Sequence, residues 1–332
     1  MISLVLCSYN GLDRIPTTLE SLSKLHIPNN VELELIFVDS NSSLPMCLLV
    51  QKCWQQFGAP FELITLTQNK PGKVAALQFG FEQATGAYFV ILDDDNELQF
   101  DYLEKGYNYL QQFPQVGVLG GQGILPVDYI LPPWFEKYAY HFACGPQNER
   151  DGEVRPNRNV VYGAGMWVRR DAYQKALQNG FSFIFDFHAA NQSVKALNNG
   201  GEDGELCWAI RFQGYEIHYF STLVFTHRIS LLKFTDSYLK LIQERTNSST
   251  LLGAIYFRVS KLNLLEVKHF WIKELIFIIL NYFKNFEFTY CYLKLELKRN
   301  LSNILLLLKM RNKYDEMINS LLRFKNNSII NE

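Results

Sequence analysis

Four short apolar runs, each ending in polar or acidic residues and each separated from the next by a helical pattern, leave this chain few folds to choose from. Residues 2–7 (ISLVLC) stop at Ser8-Tyr9-Asn10-Gly11, and residues 31–39 (VELELIFVD) end in Asp39. Residues 61–67 lead into Asn69-Lys70-Pro71-Gly72-Lys73, and residues 88–92 stop at Asp93-Asp94-Asp95. Apolar runs of this length suit strands covered on both faces, the condition of a parallel sheet. Between them Ile15, Leu19, Leu22 and Leu25 recur at helical spacing with Pro16 in the first turn, and 44–57 and 74–84 also read as helices. This order predicts an α/β fold with a Rossmann-like, mostly parallel central sheet flanked by helices. Ligands of such sheets bind outside the carboxyl ends of the strands. Ser8, Asp39 and Asp93 to Asp95 are therefore expected along one edge.

The change from apolar strand to three aspartates is the sharpest chemical signal. Carboxylate oxygens suit Mg²⁺ or Mn²⁺, which commonly bind through one or two carboxylates together with substrate phosphates. The competing reading is an acidic turn capping a helix that starts near Phe100. Downstream, 100–113 predict a helix and 116–119 a strand, whereas 125–159 are irregular and rich in proline and aromatic residues. Gly163-Ala164-Gly165 precedes a strand ending in Arg169-Arg170, and Gly200-Gly201 precedes Glu202-Asp203 and the helical run 206–212. Two closing strands are expected at 217–220 and 223–226, with His227 just beyond.

Hydrophobic residues at 48% against 20% charged exclude a disordered chain. The six cysteines are scattered without paired metal-ligand spacing and read as reduced core residues. Residues 1–7 offer neither a basic n-region nor a small-residue cleavage site, which predicts a cytoplasmic protein. No apolar stretch approaches the roughly 18 residues of a membrane span. The net charge of -1 conceals an asymmetry: from residue 251 onward 13 Lys and Arg face 7 Asp and Glu, so the tail carries +6 and the rest -7. An acidic body argues against a nucleic-acid binder. From 231 onward the chain reads as helices rich in Leu, Ile, Phe and Lys, with a linker-like 246–250 and a frayed end over 325–332. Such a basic extension can meet an anionic membrane surface, form a homo-oligomer or pack on the body.

In order and spacing these pieces resemble the family 2 glycosyltransferases, nucleotide-sugar enzymes of the GT-A fold, over about residues 2–228. The resemblance implies a GT-A domain over 1–230, with a nucleotide-sugar-binding half (1–115) and an acceptor-binding half (116–230), followed by a helical basic extension (231–332). It implies a Mn²⁺- or Mg²⁺-dependent, inverting transfer from a nucleotide-diphosphate sugar, a UDP-sugar favoured. The acceptor would be a hydroxyl of a glycan or lipid-linked molecule in cell-surface polysaccharide synthesis, with peripheral membrane contact through the extension.

By position Asp95 resembles the metal ligand that closes the family's Asp-x-Asp signature, and His227 the residue that completes the metal shell. Asp93 would lie nearer the ribose, and Asp94 shares the donor site in an uncertain register. Asp39 resembles the acid that binds base or ribose, Ser8, Tyr9 and Asn10 the opening loop of the donor site. Lys73 would meet the nucleotide or its diphosphate as a point charge. The acceptor hydroxyl must lose its proton as it attacks. Asp203 resembles that base, with Glu202 orienting the acceptor. A nucleotidyltransferase would want a Gly-rich phosphate loop near the N-terminus, where only Gly11 and Arg14 stand. A non-catalytic sugar-binding scaffold would be expected to have lost an acid, and all are present.

Overall fold

The computed structural model describes residues 1–154, 160–184, 201–284 and 290–330. The first half alternates as the apolar runs demand: β1 (Ile2–Ser8), α1 (Ile15–Ser23), β2 (Leu33–Asp39), α2 (Cys47–Gln56), β3 (Glu62–Thr67), α3 (Lys73–Gln83) and β4 (Tyr88–Asp93). Next come β5 (Asn96–Leu98), α4 (Tyr102–Gln112), β6 (Val116–Ile124), the short α5 (Phe135–Tyr138) and β7 (Gly152–Glu153). Then β8 (Trp167–Arg169), α6 (Arg170–Gln178), α7 (Glu202–Phe212) and β9 (Glu216–His227) complete the sheet. The C-terminal segment forms α8 (Asp236–Lys261), α9 (Phe270–Lys284) and α10 (Tyr290–Ile330).

The described strands make one sheet in the order β3-β2-β1-β4-β8-β6-β9-β5, with β7 paired to β9. β1 runs parallel to both β2 and β4, and β2 is parallel to β3. Register fixes the functional edge: Ser8 pairs with Asp39, and Cys7 with Asp93. Side chains alternate across the sheet. Val5, Ile36, Phe89 and Ile91 enter one core layer with α3, α6 and α7. Leu4, Leu35, Phe37 and Val90 enter the other with α1, α2 and α4.

Several expectations change. The residues after the aspartates do not cap a helix. Asn96–Leu98 pair antiparallel with β9, and Asp101 at the start of α4 makes no side-chain cap. The two closing strands are one, because β9 continues through an irregularity opposite Gly120 and Gln122. Residues 246–250 form no linker, since α8 runs through them, anchored by buried Leu239 before them and buried Ile255, Tyr256 and Val259 after. Burial decides here where Ser, Thr and Asn alone would favour a break. Nor does the end fray: α10 extends to Ile330, Ser328 is buried, and Lys325 Nζ donates to the Leu262 carbonyl at 2.8 Å. Residues 331 and 332, like Gly200 and Cys291's side chain, lie outside the described part.

The extension packs on the body. Buried side chains of α8, α9 and α10, among them Tyr256, Ile278 and Tyr314, join the same core cluster as α7 and one sheet face. Among the described residues no helix is long and apolar enough to cross a membrane. Cys7, Cys53, Cys144 and Cys207 are free and buried, and Cys47 is free and half-buried. Arg258 on α8 holds Glu274 on α9 through two hydrogen bonds of 3.0 and 3.3 Å, and the Glu274 side chain is only 4% exposed. Arg258→Met leaves that carboxylate buried and unpaired. The expected loss is about 2 kcal/mol, below the usual cost of breaking a buried pair because Arg258 itself reaches water. Urea unfolding monitored by circular dichroism checks it, and an unchanged midpoint would show that this ion pair contributes nothing to stability.

Candidate active site

At the carboxyl edge of β1, β2 and β4 lies a cleft of about 1040 Å³. Its floor carries Ser8, Tyr9, Lys73 and the three aspartates, and His227 closes one side. The opposite wall is apolar, built by Phe142, Ile229, Tyr238 and Ile242.

Asp94 and Asp95 form the turn between β4 and β5, held by a Thr18 Oγ1 bond to the Asp94 carbonyl at 2.8 Å and an Arg228 N–H bond to the Asp95 carbonyl at 2.8 Å. The turn sends the three carboxylates to three different partners. Asp93 takes Lys73 at 2.7 Å. Asp94 turns inward, where Arg14 Nε and Nη2 donate to it at 2.7 and 3.0 Å and Ser8 Oγ donates at 2.5 Å. Asp95 faces His227, with Oδ1 and Nε2 3.3 Å apart. Gly11 is required beside this knot, because a Cβ there would lie 2.1 Å from Asp94 Oδ2. Burial raises the Asp94 carboxyl despite the bonds from Arg14 and Ser8. Burial would raise Asp95 too, but the facing imidazole outweighs it and the net shift is downward.

Glu202 and Asp203 open α7, whose N-terminus favours negative charge. Gly201 before them has φ 118°, a left-handed turn that admits glycine readily. Glu202 reaches Lys73 at 3.5 Å, and Asp203 accepts the N–H groups of Gly163 at 3.2 Å and Gly204 at 2.8 Å. Gly163-Ala164-Gly165 thus serves as backbone support for Asp203. Burial and the neighbouring Glu202 charge raise Asp203, Lys73 opposes them, and the carboxyl ends raised to about 6. Burial works against the Lys73 charge, yet Asp93 and Glu202 prevail and raise its pKa. One ammonium therefore joins the edge aspartates to the acidic pair of α7.

The sequence profile described as Glycosyl transferase family 2 matches residues 3–177, just over half of the 332-residue chain. The chain belongs to glycosyl transferase family 2. No curated protein sequence matches it significantly. Among solved structures, residues 1–349 of TarS from S. aureus in complex with UDP-GlcNAc match at 14% identity and TM-score 0.53, over 79% of this chain and 67% of that one. The mannosyltransferase PcManGT from Pyrobaculum calidifontis, in complex with GDP-Man and Mn2+, matches at 18% identity and TM-score 0.54, over 76% of this chain and 64% of that one. The chain covers 66% of the TarS 1–349 structure without ligand and 40% of the longer TarS chain. These similarities show the GT-A fold.

In this family 2 chain the Asp95–His227 pair suits a divalent cation. His227 Nδ1 lies 2.8 Å from the Phe142 carbonyl and must donate to it. A neutral imidazole would then present a lone pair on Nε2 to the Asp95 carboxylate, also an acceptor. Two facing acceptors require a cation between them, and a proton supplies it here: burial alone would lower His227, but Asp95 raises it to about 10. A metal ion would replace that proton. No group of three His, Cys, Asp or Glu side chains is arranged for a metal among the described residues. Two protein ligands match ions that complete their shell with water and substrate phosphate.

Asn10, Asp39, Glu202 and Asp203 stand outside the cleft lining, the last two reaching it through Lys73. Asn10, at φ 51°, accepts the Ser43 N–H at 2.8 Å and joins two loops. Asp39 is buried and accepts the N–H groups of Ser42 and Met46 at 3.0 and 3.3 Å. Tyr9 projects at the mouth, 60% exposed. Arg14, Ser40, Asn41, residues 141–143 and residues from 229–242 are among the cleft members that sequence reading passed over. Nothing local marks Arg14 as the partner of a residue 80 positions away. Arg14→Met strips both guanidinium bonds from the largely buried Asp94, with an expected cost of about 1–3 kcal/mol. Chemical denaturation of Arg14→Met and Arg14→Met/Asp94→Asn measures it, and the double variant should recover part of the loss because no unpaired carboxylate remains.

Proposed function

We propose that the chain is a divalent-metal-dependent, inverting glycosyltransferase that moves a sugar from a nucleotide-diphosphate donor to the hydroxyl of a glycan or lipid-linked acceptor. The observation that carries this reading is the separation of two acidic centres by one lysine. Asp95 with His227 lines the cleft, Asp203 with Glu202 stands behind its lining at the start of α7, and Lys73 touches both Asp93 and Glu202. The TarS and PcManGT complexes with UDP-GlcNAc and GDP-Man support a nucleotide-sugar donor, and the Mn2+ of the latter supports a metal.

Asp95 and His227 would hold the ion, which stabilises the charge of the departing diphosphate when bound. Asp93 and Lys73 orient the donor, and Tyr9 offers a ring for the base. Asp94 is a brace, since Arg14 and Ser8 occupy its oxygens. Asp39 acts on the donor through the loop 40–46 that it ties down. Asp203 accepts the acceptor's proton during a single displacement, and its two backbone N–H bonds hold the carboxylate in place as it does so. Glu202, pinned to Lys73, orients the acceptor hydroxyl.

A carboxyl raised to about 6 is a base only above that pH. Transfer should therefore fall tenfold per pH unit below about 6 and level off above it. Asp203→Asn should lower kcat by at least about a hundredfold, with nucleotide-diphosphate affinity nearly unchanged. Release of nucleoside diphosphate from UDP- and GDP-sugars, followed across pH with Mn²⁺ present, tests both. Substantial turnover by purified Asp203→Asn would remove the base assignment.

A further inference from the structure

The C-terminal extension contributes Lys233, Tyr238 and Ile242 to the cleft, and Lys233 is a cation that the reaction scheme above does not use. Among the described residues three Lys and Arg side chains line the cleft: Arg14, Lys73 and Lys233. Arg14 is committed to Asp94 and Lys73 to Asp93, each at 2.7 Å. Among the described residues Lys233 has no carboxylate within 4.0 Å. It stands at the end of the 3₁₀ turn Leu231–Lys233, six residues beyond His227, and its charge helps to hold Asp95 in the ionised form.

The turn is fixed from behind. Phe234 packs edge-on against Phe135 at 5.3 Å and against Tyr129 at 6.0 Å, and Thr235 caps α8 through the Tyr238 N–H. Beyond it Tyr238 and Ile242 of α8 continue the wall. Lys233 is thus a half-buried cation in the cleft lining, close enough for its charge to act on Asp95. The three aspartates already have Arg14, Lys73 and His227 as partners, so an entering diphosphate needs further positive charge. An unpaired lysine beside the ion site supplies it without first breaking an ion pair.

We propose that Lys233 binds the diphosphate of the nucleotide donor, and that the extension is therefore part of the donor site. The assignment rests on the donor reading given above. It implies that Lys233 favours a nucleoside diphosphate over the corresponding monophosphate, which lacks the second phosphate beside the ion site for the ammonium to hold.

Calorimetric titration of the full chain with UDP, UMP, GDP and GMP, with and without Mn²⁺, tests this. Lys233→Met should weaken diphosphate binding about tenfold or more, the worth of a charged hydrogen bond, and leave monophosphate binding within about twofold. Lys233→Arg should restore most of the preference. Arg228→Met, which removes an equal charge bound to Glu97 outside the cleft, should leave it intact. Thermal melting confirms that each variant is folded. Unchanged diphosphate preference in Lys233→Met overturns the assignment and leaves the donor reading standing. Failure of the wild-type chain to bind any of the four nucleotides overturns the donor reading and this assignment together.

Discussion

Three consecutive carboxylates at the end of a buried strand repel one another and lose hydration, and the structure around them answers that problem. Each aspartate has its own cation, and each cation comes from a different part of the chain: Lys73 from α3, Arg14 from the start of α1, His227 from the end of β9. Asp94 is the most enclosed of the exchanges, with Arg14 forking onto both oxygens and Ser8 adding a third bond. Such geometry suits guanidinium, whose planar donors match a carboxylate. With the central residue locked, Asp93 and Asp95 meet different partners, Lys73 and His227. Partner choice thus sets Asp94, committed to Arg14 and Ser8, apart from the two carboxylates that flank it.

The edge itself was readable because strand register leaves little freedom. Buried parallel strands whose apolar runs end at Ser8, Asp39 and Asp93 must bring those ends together, and the pairing of Ser8 with Asp39 and Cys7 with Asp93 does so. What periodicity did not disclose were features decided by distant packing. α8 crosses the Ser, Thr and Asn of 246–250 because apolar residues on both sides are buried, and β9 absorbs an irregularity instead of splitting. Asp39 illustrates a different limit: an acid at a strand end has the same sequence signature whether it meets a ligand or ties down its own loop. Only the N–H groups of Ser42 and Met46 reveal the second role.

The extension shows how composition can mislead. Its excess of Lys and Arg was compatible with a membrane surface, a second copy or intramolecular packing, because charge count carries no direction. Burial supplies the direction: Tyr256 donates to Glu205 at 2.6 Å on the helix that begins with Glu202 and Asp203, and Trp208 stacks with Tyr256 at 6.3 Å. Glu205 also accepts the Ile184 N–H at 2.8 Å, so one buried carboxylate joins α7, α8 and the chain following α6.

This coupling bears on why the acidic pair is held where it is. A base must keep a fixed distance from a donor that sits on other elements, and a misplacement of about 1 Å can cost a hundredfold in rate. Lys73 sets one distance by bridging Asp93 and Glu202, while Gly163 sets another through its N–H to Asp203. Those contacts act at the first turn of α7. The Tyr256–Glu205 bond acts at the same turn from the opposite side, and its phenol lies wholly within the core, where the bond exchanges with no solvent. The helix that presents the acids is accordingly clamped between the sheet edge and the extension. Removing the extension would therefore alter the position of Asp203 as well as the stability of the fold, even though no described side chain of α9 or α10 lines the cleft.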